Sequence, residues 1–170
     1  MPVKINGLPA HILLVHVVLV LVPLAAAMVV ASAVWPAARA KLGFLTPAVA
    51  LVALAFVPVA MNAGKWLRDH LQGNIGHTDP RIVHHTHIAY DLWPWVLALF
   101  IVAAAVWLVG RRYELTWRRS EAAVRQAVPV WVTSLIALAA VVTAVGSLIV
   151  LYRVGESGSK AVWPPGITTG

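Results

Sequence analysis

Four stretches of this 170-residue chain are too long and too apolar to be hidden inside a soluble domain of its size. They cover about 11–34, 45–63, 90–109 and 128–152. A helix crossing a bilayer core needs roughly 20 apolar residues, and each stretch is near or above that length. Of all residues, 61% are hydrophobic and only 11% charged, so lipid has to cover much of what a soluble fold would bury. Within lipid every backbone N–H and C=O must find a partner inside the protein, which leaves helices and closed barrels. No segment alternates polar and apolar residues as a barrel strand would. The expected fold is therefore all-α: an integral membrane four-helix antiparallel bundle occupying residues 1–154, its short first and third connections forcing neighbours to run antiparallel. A tail rich in Gly, Ser and Pro follows over 155–170. The triplet Ala31-Ser32-Ala33 has the form of a signal-peptidase site, but the preceding apolar run is too long and its flank, with Lys4 alone, too weakly basic, so the segment is expected to be retained.

Aromatic side chains gather near the ends of the runs, at Trp35, Trp66, Trp93, Trp95, Trp107, Trp131 and Tyr152, where an interfacial belt places rings with one polar atom. Pro23, Pro58 and Pro94 fall inside runs, as kinks or first-turn prolines. On the fourth run Ala140, Thr143, Ala144 and Ser147 form a small-residue stripe expected to pack against other helices. Thr133, Ser134, Thr143 and Ser147 supply hydroxyls for bonds between helices.

Thirteen Lys+Arg against six Asp+Glu give a net charge of +7. The basic residues sit in the segments between apolar runs, and no groove-reading or single-strand-binding motif accompanies them, so no nucleic-acid partner is expected. Arg39 and Lys41 lie between the first two runs, and Arg111, Arg112, Arg118, Arg119 and Arg125 crowd between the last two. Lys4, Lys65, Arg68, Arg81, Arg153 and Lys160 are spread over the opposite face. The density of arginine places both short connections in the cytoplasm and both termini outside. The chain has no cysteine, which excludes disulfides, thiol catalysis and thiolate metal ligation within it.

All seven histidines map to one membrane face. His11 and His16 begin the first run; His70, His77, His84, His85 and His87 lie between the second and third. Imidazole is the commonest protein metal ligand and an axial ligand of haem. If the third helix starts near His84, then His84, His87 and Asp91 stand at i, i+3 and i+7 on one stripe, with the carboxylate able to orient an imidazole or to serve as a ligand. His11 and His16 are about 140° apart around a helix and point to one centre only if the helix start is irregular. His16 lies about a turn and a half into an apolar run, where an unpartnered polar group is costly, so it is the expected ligand, with a partner among His84, His85 and His87. His70 and His77 read as ordinary loop residues. The expected metal set is His11, His16, His84, His85, His87 and Asp91, and the expected cofactor-binding set His16, His85 and His87, for haem b or a divalent transition metal. Nothing in the sequence pairs a nucleophile with a base or forms a phosphate loop, so the chain is not expected to be an enzyme by itself. Its expected function is electron transfer, or an accessory role in a membrane redox complex. The alternative is a structural or interaction subunit, acting through partners or self-association, that binds no cofactor.

The opening Asn6-Gly7-Leu8-Pro9-Ala10-His11-Ile12-Leu13-Leu14-Val15-His16 resembles a bacterial family of small four-helix membrane proteins of unknown function. The likeness continues through Val34-Trp35-Pro36-Ala37-Ala38-Arg39, Ala63-Gly64-Lys65-Trp66-Leu67, His85-Thr86-His87-Ile88 and Arg153-Val154-Gly155-Glu156-Ser157-Gly158. It spans essentially the whole chain, and the opening stretch is its most specific part. The resemblance implies a four-helix fold in a bacterial cell membrane. Some relatives are fused to Rieske-type iron–sulfur domains, which implies redox surroundings, and His11, His16 and His85 match the histidines of the family pattern. That pattern often carries an acid where this chain has Lys65, which puts any shared role of this position in doubt.

Overall fold

A computed structural model of the chain describes residues 4–5, 8–75, 79–119 and 129–162. They form a two-residue antiparallel strand pair, β1 (Lys4–Ile5) with β2 (Leu8–Pro9), and five helices. These are α1 (Ala10–Val34), α2 (Pro36–Leu42), α3 (Leu45–Ile75), α4 (Pro80–Arg119) and α5 (Val130–Val162). α1, α3, α4 and α5 are each long and apolar enough to cross a bilayer. The protein is an all-α four-helix bundle of multi-pass membrane character.

The four helices pack in a ring, α1 against α3 and α5, and α4 against α3 and α5, with less contact across the α1–α4 diagonal. Side-chain contacts fix their directions. The start of α1 meets the middle of α3 through His11 and Ala60, and its end meets the start of α3 through Ser32 and Thr46. The start of α4 likewise meets the end of α5 through His85 and Ser157. Both pairs are antiparallel.

The interior is built from small side chains. One cluster, toward the end of the bundle where α1 finishes, joins Ala25, Ala26, Val29, Ala50, Leu99, Ala103, Ala140 and Ala144; a second, toward the other end, joins Val22, Ala53, Val57, Val96 and Val150. Large apolar residues such as Leu135, Leu138, Val142 and Ile149 are turned outward on α5. This is the arrangement expected in lipid, where close backbone approach and dispersion hold helices together and outward leucine carries no penalty. Ala140, Thr143, Ala144 and Ser147 are all buried, as the stripe on the fourth run implies. The hydroxyls behave differently from expectation. Thr133, Thr143 and Ser147 bond to carbonyls of their own helix, Val130, Ala139 and Thr143, and Ser134 is exposed. A hydroxyl three or four residues from a helical carbonyl reaches it without any help from a neighbour.

The helices outrun their apolar stretches. α4 begins at Pro80, ten positions before the third run, because Asp79 caps it. Its carboxylate accepts from the N–H of Arg81 at 2.8 Å and its carbonyl from Ile82 and Val83, and proline suits the first helical turn. α5 continues through the first half of the expected tail to Val162, supported by the Glu156–Lys160 ion pair at i,i+4. The first connection contains α2, which apolarity alone does not announce. Trp35 is extended (φ −118°, ψ 108°) before Pro36, as a residue preceding proline prefers, and Gly43 turns the chain back with φ +45°, a conformation favouring glycine.

Candidate functional site

Helix α1 starts with its first turn against the middle of α3, and this brings His11 into the bundle. Nδ1 of His11 lies 3.0 Å from the carbonyl oxygen of Ala60. A carbonyl only accepts, so Nδ1 carries a proton and Nε2 takes no part in that bond. The ring lies over Gly64, one turn further along α3, so closely that a Cβ there would stand 2.9 Å from its Cε1. Glycine in the middle of a helix is unfavourable by about 1 kcal/mol against alanine; here it makes room for an imidazole.

The same construction recurs on the other helix pair. His85, half-buried on α4, places Nδ1 2.9 Å from the hydroxyl of Ser157 on α5. That hydroxyl donates its own proton to the carbonyl of Val154 at 3.0 Å. It therefore accepts from His85, whose Nε2 again takes no part in the bond. The ring covers Gly158, where a Cβ would come within 3.2 Å of its Cε1. Val154 and Gly158 are one turn apart on α5, as Ala60 and Gly64 are on α3. The two imidazoles lie toward the same end of the bundle.

The other nominated residues lie elsewhere. His16 is exposed and donates from Nδ1 to the carbonyl of Ile12 on its own helix at 2.7 Å. The roughly 140° between positions five apart turns His16 out once His11 turns in, and the cost of its polar ring inside an apolar run is met by that carbonyl rather than by a facing histidine. His84, His87 and Asp91 do share a stripe of α4, and the stripe is exposed. His77 lies outside the described residues, as does the side chain of His70. No group of three or more His, Asp or Glu positioned to hold a metal ion occurs among the described residues.

Sequence reasoning missed the acceptors and seats: Ala60, Gly64, Ser157 and Gly158. The available signal was the pair of glycines inside helical stretches, since an isolated helical glycine usually has a packing reason. Comparisons with protein-family models, with curated proteins and with solved structures found no match.

Proposed function

We propose that the paired imidazoles of His11 and His85 form a ligand site for haem or a transition-metal ion in a bacterial cell membrane, serving electron transfer alone or within a membrane redox complex. One observation carries this reading: each ring is held through Nδ1–H by a backbone carbonyl or by a hydroxyl bonded to one. That is the outer-shell arrangement that fixes a histidine tautomer for ligation through Nε2. Two imidazoles match the axial pair of a haem iron. A tetrahedral metal takes four ligands, which this pair alone does not provide. Such a group would supply one-electron chemistry; the residues orient the two nitrogens.

The visible spectrum of the detergent-purified protein, followed by elemental analysis, tests the site. Wild-type protein should carry haem or a stoichiometric metal, and His11→Ala and His85→Ala should each abolish it. His16→Ala and His84→Ala should leave it in place. A colourless, metal-free protein sinks the reading.

A second reading has its own support. Each histidine is already bonded and seated within one helix pair, so the two rings can serve as latches in a structural or interaction subunit that binds nothing. On that reading His11→Ala lowers stability and moves no spectrum.

We further propose that both termini and the histidine end lie outside, with the arginine-dense connection in the cytoplasm. Reporter fusions after Gly170 and between 111 and 125 should report opposite sides, the former external. A cytoplasmic signal from the C-terminal fusion reverses the orientation.

A further inference from the structure

The end of the bundle away from the histidines holds a cavity of about 820 Å³ between α1, α2, α3, α4 and α5. Its lining combines apolar and aromatic walls, Phe44 and Trp107 among them, with two arginines, Arg39 and Arg111, and two buried hydroxyls, Ser32 and Thr46. No acidic side chain lines it among the described residues. Arg39 spends Nε and one N–H of Nη2 on the carbonyls of Ser32 and Ala33, both at 2.8 Å, leaving Nη1 to donate elsewhere. The guanidinium of Arg111 lies over the Trp107 ring, 5.3 Å from its centroid, and Phe44 braces that ring edge-on at 5.6 Å. A cation held on an aromatic face keeps its N–H edges available for an acceptor. Neither arginine is in an ion pair among the described residues. Ser32 and Thr46 share one hydrogen bond at 3.1 Å, so one of their two hydroxyl protons is left for another acceptor.

We infer that this cavity binds the phosphodiester headgroup of an anionic phospholipid. The chemistry requires an anion with several oxygen acceptors to answer two guanidinium groups that have no ion-pair partner among the described residues. It also requires an apolar body to cover the aromatic and aliphatic walls, which a free inorganic anion lacks. Depth agrees with this. Trp35 and Trp131, both strongly exposed, lie one residue before Pro36 and two before Thr133 of its lining, and exposed tryptophans mark the headgroup level. Basic pockets between membrane helices on the arginine-rich side are where anionic headgroups are held.

The full chain, purified in a nonionic detergent, is titrated with phosphatidylglycerol or phosphatidylcholine, and retained lipid is read by native mass spectrometry. Phosphatidylglycerol should be preferred roughly thirtyfold, with each arginine contributing roughly fivefold. Arg111→Gln and Arg39→Gln should each remove about that share. Arg39 also holds the end of α1, so Arg111→Gln, which breaks no backbone contact, decides the matter; its thermal midpoint in phosphatidylcholine should equal wild type. Equal retention of the two lipids overturns the inference, as does a preference that survives Arg111→Gln. Competition by glycerol phosphate or inorganic phosphate as effective as that by intact lipid also overturns it, and assigns the cavity to a soluble anion.

Discussion

Gly146→Val should destabilise the bundle by about 3 kcal/mol, the upper part of the usual range for overpacking a filled interior. Gly146 lies on α5 beneath the indole of Trp95 from α4, and an added Cβ would overlap its ring atoms Cζ3, Cε3 and Cη2. An indole is rigid, and Trp95 packs against the buried cluster that includes Leu92, Val96 and Val150, so relief requires the two helices to part. Alanine at this position gains about 1 kcal/mol of helix propensity yet meets the same ring, and it should still lose stability. Two controls make the result specific. Trp95→Leu in the Gly146→Val background should restore most of the loss. Gly155→Ala, where nothing lies within 4 Å of the new Cβ, should raise stability by up to about 1 kcal/mol. Reversible unfolding in mixed micelles reads all four proteins. A Gly146→Val variant as stable as wild type would show that the indole does not sit on α5.

Arg39→Ala should cost about 3 kcal/mol. The last carbonyls of a helix have no partner within it, and in α1 two of them, Ser32 and Ala33, accept from the guanidinium at 2.8 Å. Hydrogen bonds from a charged donor contribute about 1.5–3 kcal/mol each, and the half-buried position argues for the lower figure. The arginine stem also lies against Gly110 of α4, where a Cβ would come within 2.9 Å of its Cδ, so alanine loses packing as well. Lysine keeps the charge but not the fork and should recover less than half of the loss. Amide exchange should localise the damage, rising at the end of α1 and in α2 while the His11 end stays protected. Uniform loosening along α1 would count against a terminal role.

The transmembrane architecture was legible in sequence because it rests on a one-dimensional quantity, the length of apolar runs against the thickness of a bilayer. That measure marks spans and does not mark where the helices themselves end. A helix stops where its backbone bonds stop, and Asp79 or the Glu156–Lys160 pair carries it past the last apolar residue. The histidine end was legible as a place but not as a geometry. Counting residues showed that His11 and His16 could not face one way; it could not say which faces in. Cost assigned that role to His16, the deeper of the two, and overlooked how cheaply a helical histidine reaches the carbonyl four residues back. Gly64 and Gly158 were visible only as glycines, since a seat is defined by what rests on it, and that lies 53 positions away for His11 and Gly64 and 73 for His85 and Gly158.

Each of the two histidine contacts closes within a consecutive stretch of chain: His11 with α3, His85 with α5. A ribosome delivers the first two membrane helices before the third has been made. The contact between α1 and α3 thus involves only residues already translated when α3 emerges, and the one between α4 and α5 needs nothing from the first half. Biogenesis can therefore proceed as two helical hairpins, inserted in turn and each internally fastened, followed by lateral docking in the lipid. The approach of the His11 end of one hairpin to the His85 end of the other belongs to that last step.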